Sequence, residues 1–184
     1  MRQGDTAVVA QGLAHPLRLR ILHEYRRGAT SPSRIARRLD LPLRVVAYHT
    51  NALTRIGAIE QTRIERRRGV IERFHHAVTV PPIGLPGWEG VPVKVRRRLL
   101  RAALGLLMED AERAAAAGGF DGDDARLSRR PVRLDGPGLQ GLAALLRRLD
   151  DDVAALEAAS ARRGGECGAR ELALLCFEDR PGAR

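Results

Sequence analysis

Hydrophobic positions in the first part of the chain recur every three or four residues over three successive segments. This spacing predicts amphipathic helices over residues 16–27, 31–39 and 42–56. Pro16 suits a first helical position, Ser31 followed by Pro32 suits a helix start, and Gly57 suits a helix end. The pattern therefore predicts three short helices in close succession, the last two separated only by a tight turn.

After Gly57 the spacing of apolar residues changes to one that is typical of strands. Residues 59–65 and 70–78 are predicted to form a hairpin, with an arginine-rich turn at 67–69. A helix, a tight turn, a second helix and a hairpin form a winged helix-turn-helix. In that arrangement the second helix can enter a DNA major groove, which is about 12 Å wide, and the hairpin can reach phosphates or a minor groove.

The segment 42–56 is the predicted recognition helix, and its two faces differ in chemistry. Val46, Leu53 and Ile56 are predicted to face inward. The opposite face carries the candidates for base contact, which are Arg44, Ala47, Tyr48 and Asn51. Arginine can bond to guanine and asparagine to adenine. The alternative is that Arg44 contacts only phosphate and that Tyr48 packs on the wing.

Positive charge is concentrated in the same part of the chain. Residues 1–78 contain 15 arginines, no lysine and 6 acidic residues, a net charge of +9, whereas the remaining residues carry +1 of the total +10. A local excess of guanidinium groups is what a phosphate-binding surface needs. Double-stranded DNA is therefore the predicted partner, and a merely solvated basic surface is the alternative.

Three motifs in this order resemble the ArsR-type winged helix-turn-helix regulators, in particular a longer subgroup with an extra C-terminal region. They are LAHPLRLRIL, LDLPLRVVAYHTNALTRIGAIE and ERRRGVIERFHHA, within residues 13–78. The resemblance implies a homodimer that binds a two-fold-related operator, usually as a repressor, with 42–56 as the recognition helix and 62–73 as the wing. Thr50 departs from the family pattern, because an apolar core residue usually occupies this position.

The candidate DNA-binding set combines the recognition helix with the helix before it and the wing. It consists of Ser33, Arg34, Arg37, Leu43, Arg44, Ala47, Tyr48, Asn51, Arg55, Arg66, Arg67 and Arg68.

The second half is predicted to be mainly helical. Residues 81–92 form a proline- and glycine-rich linker between a DNA-binding domain (1–80) and a C-terminal helical or α+β region (93–184). Helices are predicted over 93–117 and 138–163, each with a narrow apolar seam, which indicates either an intramolecular pair or a dimer interface. Short apolar runs at 132–134 and 172–177 predict a small sheet, with Cys176 buried in it. The predicted fold class is mainly α with a small β component.

The remaining chemistry is sparse. Cys167 and Cys176 are expected to be reduced thiols in the cytoplasm, and no segment has the length of a membrane span. Residues 31–40 hold no Cys or His and no His follows His76, so we predict no metal site and no cofactor. No nucleophile–base pair or phosphate loop indicates an enzyme. The alternatives left open are a protein–protein module, a redox response or thiol chemistry at Cys167, and an unidentified small-molecule effector.

Overall fold

The computed structural model describes residues 3–67, 70–78, 88–165 and 168–178. They fall into two compact units, Met1–Phe120 and Asp121–Arg184. The elements are α1 (Gln3–Leu13), α2 (Pro16–Arg26), α3 (Pro32–Arg38), α4 (Leu43–Arg55), β1 (Ile59–Arg67), β2 (Val70–Ala77), a 3-10 turn (Trp88–Gly90), α5 (Val93–Ala116) and α6 (Gly136–Arg163).

The first unit is built around a core to which every one of its helices contributes. Ile21 of α2, Ile35 of α3, and Val46 and Leu53 of α4 are completely buried, and Ile56 packs against them. These are residues that helical spacing predicts to face inward, so the prediction of three amphipathic helices is confirmed. Burying this apolar surface is the main force that holds the short helices together.

Two backbone positions set the angle and the end of α4. Asp40, between α3 and α4, has a φ of 51°, a left-handed conformation that Asp tolerates better than most residues. Gly57, after α4, has a φ of 69°, which a residue without a Cβ adopts at no steric cost. These two residues allow α4 to follow α3 after a tight turn and the chain to leave directly into β1.

The hairpin is antiparallel and is tied to the helices at its base. Its register runs from Ile59 opposite Ala77 to Arg67 opposite Val70, with an irregularity between Gln61 and Arg63. Thr30, in the connection from α2 to α3, exchanges backbone hydrogen bonds of 3.0 and 2.8 Å with His75. The predicted wing is therefore present, and the turn residues 68–69 lie outside the described residues.

The sequence pattern did not predict α1. Its buried face presents small residues such as Ala10, and only Leu13 is a large buried residue, so the helical periodicity is weak. Close packing explains the small residues. A Cβ on Gly12 would lie 2.8 Å from Ile56 Cδ1, which shows how closely α1 approaches the end of α4.

The helix α5 belongs to the first unit. Leu99 of α5 and Val91 before it are buried, and Trp88 packs at the edge of the same core. The first compact unit consequently extends to Phe120. Residues 79–87, which include most of the predicted linker, lie outside the described residues.

The second unit consists of α6 and irregular segments. Asp135 caps α6 by accepting a hydrogen bond of 2.8 Å from the Gly138 N–H, and Gly164 ends the helix with a φ of 66°. The helix prediction over 138–163 is confirmed. In contrast, residues 132–134 and 172–177 form no strand, and Cys176 is exposed rather than buried. An apolar run becomes a strand only where a neighbouring edge supplies its backbone partners, and in this unit the two runs are not paired.

Candidate nucleic-acid interface

The solvent-exposed face of α4 carries most of the side chains predicted to contact bases. Arg44, Tyr48, Asn51 and Arg55 follow one another at spacings of three and four residues and are all exposed. Tyr48 has 59% of its surface exposed. With a rise of about 1.5 Å per residue, this row extends over roughly 16 Å of helix. It presents guanidinium, phenol and amide groups on a single face.

The opposite face of α4 is fixed to α2 by a buried polar contact as well as by apolar packing. Thr50, which is 2% exposed, forms a hydrogen bond of 2.9 Å with the Tyr25 hydroxyl. Burial raises the pKa of Tyr25 to about 12, so the phenol stays protonated. This contact explains why position 50 holds a threonine instead of an apolar residue, because the threonine hydroxyl forms a hydrogen bond with the buried Tyr25 hydroxyl.

His49 provides a second contact between α4 and α2. Arg18 of α2 donates from Nε to His49 Nδ1 at 3.4 Å and from its terminal nitrogen to the Gly12 carbonyl at 2.7 Å. The ring of His15 lies 4.7 Å from that of His49. Burial, followed by the charge of Arg18, lowers the pKa of His15, and burial followed by the charges of His15 and Arg18 lowers that of His49. His49 therefore acts as a neutral acceptor that stabilises α4.

A carboxylate of the wing binds the start of α3. Glu72 of β2 accepts hydrogen bonds from Ser31 and from Ser33, the latter at 2.6 Å, and its Oε1 lies 3.8 Å from Arg34 Nε. The serine hydrogen bonds hold the pKa of Glu72 below its usual value. Sequence reasoning did not select Glu72, although an acidic residue on an otherwise arginine-rich wing is the signal that could have found it.

An aromatic ring between α3 and the hairpin holds two arginines in place. Phe74 is completely buried, and the guanidinium carbons of Arg34 and Arg63 lie 4.8 and 4.1 Å from its ring centroid. Such cation–π contacts stabilise the orientation of the arginines. Together with Glu72, Phe74 fixes where the wing lies relative to α3 and α4.

The family comparison agrees with this geometry. Residues 13–62 match the family described as "Helix-turn-helix domain", which covers α2, α3, α4 and the start of β1. In this region α3, the tight turn and α4 form a helix-turn-helix. The predicted helix-turn-helix is thereby confirmed, and the hairpin that follows it provides the wing.

One solved structure that is similar to the chain is an ArsR-like transcriptional regulator from Rhodococcus sp. RHA1. It is 23% identical, with a TM-score of 0.36, over 65% of this chain and 95% of that one. No curated protein matches the chain. Helix-turn-helix domains form a class of DNA-binding modules rather than of enzymes.

The helix-turn-helix domain brings together only part of the predicted DNA-binding set. Leu43 and Ala47 flank the exposed row on α4, and Arg37 is exposed on α3. Ser33 and Arg34 are instead engaged with Glu72 in the structure. Of the three wing residues in the predicted set, Arg66 is exposed, whereas the side chain of Arg67 and all of Arg68 lie outside the described residues.

Two further features concern the chemistry available to the chain. Over the described ranges, no three His, Cys, Asp or Glu residues come close enough to bind a metal ion together. None of the described helices has the length and hydrophobicity that crossing a membrane requires.

Proposed function

We propose that this protein is a sequence-specific, double-stranded DNA-binding transcription regulator that acts in the cytoplasm. The observation that carries the proposal is the exposed row on α4, because its polar side chains project from a helix whose other face is completely buried. A helix presented in this way fits the major groove. The net charge of +9 over residues 1–78 supports the same surface.

The members of the interface would have different tasks. Arg44 and Asn51 carry groups that bond to guanine and adenine edges, and they would supply the sequence specificity. Arg37 on α3 and Arg66 on the wing are both exposed, and they would bind phosphates without regard to sequence. Arg67 and Arg68 at the wing tip are proposed for the same task from the sequence.

A homodimer is the proposed active form. The predicted seam of α5 is partly open to solvent: Leu100 and Leu104 are exposed, and Leu107, Ala111 and Ala114 are partly buried. Val93 extends this seam toward the start of the helix and is also exposed. Pairing such seams would place two recognition helices about 34 Å apart, one duplex turn. Repression by blocking polymerase is the proposed outcome, and a ligand that alters the spacing would lower operator affinity.

The proposal is tested by fluorescence anisotropy with a labelled duplex from the region upstream of the protein's own gene. Binding is measured at two salt concentrations, with an unlabelled unrelated duplex as competitor. Preferential binding that weakens steeply with salt is the expected result. Equal competition by the unrelated duplex would contradict sequence specificity, and absence of binding at low salt would favour a protein partner for the basic face.

A further inference from the structure

A groove of about 480 Å³ lies between α2 and α5 within the first unit. Leu17 of α2 and Ala102 and Leu106 of α5 give it an apolar lining. Its volume falls in the range of small-molecule sites, which is about 300–1,000 Å³. The groove is on a different face of α5 from the exposed seam of Leu100 and Leu104, so the proposed dimer contact does not require it.

Gly105 forms part of the lining, at a position where neither the backbone conformation nor a close contact requires a glycine. It lies inside the 24-residue helix α5, where glycine is a poor helix former. A Cβ built at Gly105 meets nothing within 4 Å. Packing within the described residues therefore does not explain this glycine, and its effect is to leave the groove open beside Ala102 and Leu106.

The charges along the groove are unevenly compensated. Arg20 of α2 pairs with Glu109 of α5 at 3.4 Å near one end. Arg98 and Arg101 line the groove toward the start of α5, are exposed, and make no ion pair with any residue that the structure describes. One end of an apolar groove thus holds two guanidinium groups without a carboxylate partner.

We propose that this groove binds a small molecule with an apolar body and one carboxylate group. The carboxylate binds Arg98 and Arg101, which suit planar anions. The apolar body extends past Gly105 along Ala102 and Leu106. From Arg98 to Leu106 the helix rises by roughly 12 Å, which suits a carboxylate with a medium-length hydrocarbon chain.

The groove is connected to the recognition helix through α2. The same helix that contributes Leu17 and Arg20 to the groove also holds α4, through Arg18 bonded to His49 and Tyr25 bonded to Thr50. A ligand that moves α2 relative to α5 would therefore change the position of α4. This regulatory consequence rests on the proposed DNA-binding function, whereas binding in the groove does not.

The experiment is isothermal titration calorimetry of the full-length protein with decanoate below its micellar concentration, without DNA. Decylamine, with the same chain and the opposite charge, is the ligand control. We expect saturable binding of decanoate, at least tenfold weaker binding in R98Q/R101Q, and loss of binding in G105F, which fills the groove. R147Q/R148Q removes two exposed arginines of α6 and should leave binding unchanged.

Circular dichroism establishes that each variant is folded. R98Q/R101Q changes only exposed side chains, so it keeps the test decisive if G105F does not fold. The proposal is overturned if decanoate does not bind, if decylamine binds equally well, or if R98Q/R101Q binds decanoate like the unaltered chain. The unaltered chain could instead self-associate without binding decanoate, and G105F could abolish that self-association. This result would assign the groove to a second copy of the chain and would also overturn the proposal.

Discussion

Thr50 and Tyr25 join the recognition helix to α2 by a hydrogen bond inside an otherwise apolar core. A buried hydroxyl that loses its partner retains its desolvation cost, which is about 1–3 kcal/mol. The pair therefore makes the position of α4 depend on two particular side chains rather than on hydrophobic contact alone.

We predict that Thr50→Val lowers the free energy of unfolding by about 1–3 kcal/mol, because the Tyr25 hydroxyl is left without its partner. Urea denaturation measures the change. Thr54→Val, at an exposed position on the same helix, is the matched control and should have a smaller effect. Adding Tyr25→Phe to Thr50→Val should recover part of the loss, and a strictly additive double variant would contradict the explanation.

Arg44 and Arg66 differ in the part of DNA that each is expected to contact. We predict that Arg44→Ala lowers affinity for the operator by about 1–3 kcal/mol and hardly affects affinity for random duplex, whereas Arg66→Ala weakens both alike. Competition anisotropy with the two duplexes measures this. Equal losses on both duplexes in Arg44→Ala would show that Arg44 binds phosphate.

At the scale of elements, the described part of the wing is held by contacts between β2 and the start of α3. The Thr30–His75 backbone bridge, the Phe74 ring and the Glu72 carboxylate all attach β2 to the start of α3. The position of the wing relative to α4 is therefore set by contacts that the arginine-rich tip does not make.

We predict that Glu72→Gln loosens this attachment, because a neutral amide binds the two serine hydroxyls and Arg34 less strongly than a carboxylate does. Amide hydrogen exchange at His75 and Thr30 should accelerate. Glu60→Gln, on the exposed side of β1, is the control and should leave these amides unchanged. Unaltered exchange in Glu72→Gln would contradict the role of Glu72 in holding the wing.

The exposed seam of α5 is the element expected to mediate self-association. We predict that Leu104→Glu shifts the protein from dimer to monomer at a given concentration, because a charge in an apolar interface is not compensated. Sedimentation velocity measures the shift. Leu127→Glu, at a position that is 89% exposed in the second unit, is the control. A dimer that persists in Leu104→Glu would place the interface elsewhere.

At the scale of the whole first unit, burial of histidines makes stability depend on pH. The pKa values of His15, His49 and His75 are all lowered, chiefly by burial. Nearby charges also lower the pKa values of two of them: Arg18 and Arg98 act on His15, and His15 and Arg18 act on His49. At His75 a backbone hydrogen bond with Arg73 raises the pKa and the charge of Arg73 lowers it, and burial remains the largest cause. The folded protein therefore favours the neutral imidazoles.

We predict that the free energy of unfolding is highest above the ordinary histidine pKa of 6.5 and falls as the pH decreases below it. Between 6.5 and the lowered values the unfolded chain binds protons that the folded chain does not. Denaturation at a series of pH values measures the slope. His49→Gln should reduce this slope, and the contributions of His15 and His75 should remain. An unchanged slope in His49→Gln would exclude His49 as a contributor.

The sequence by itself determined the helices α2 to α6, the hairpin and the outward face of α4. Val46, Leu53 and Ile56 recur at helical spacing on one side, so the opposite side of the helix has to face solvent. Periodicity also located α5 and α6, since long amphipathic patterns are strong local signals. It missed α1, whose buried face consists mostly of small residues, and it predicted strands at 132–134 and 172–177, where the apolar runs find no partner edge.

Only the tertiary structure decided which polar side chains form hydrogen bonds and ion pairs within the molecule. Ser33 and Arg34 are candidates for DNA contact by sequence, yet folding brings Glu72 to them from a strand about forty residues away. Folding likewise pairs Thr50 with Tyr25 and opens the groove beside Gly105. Hydrophobic spacing is a local property of the chain, whereas hydrogen bonds, ion pairs and grooves depend on residues that become neighbours only when the core forms.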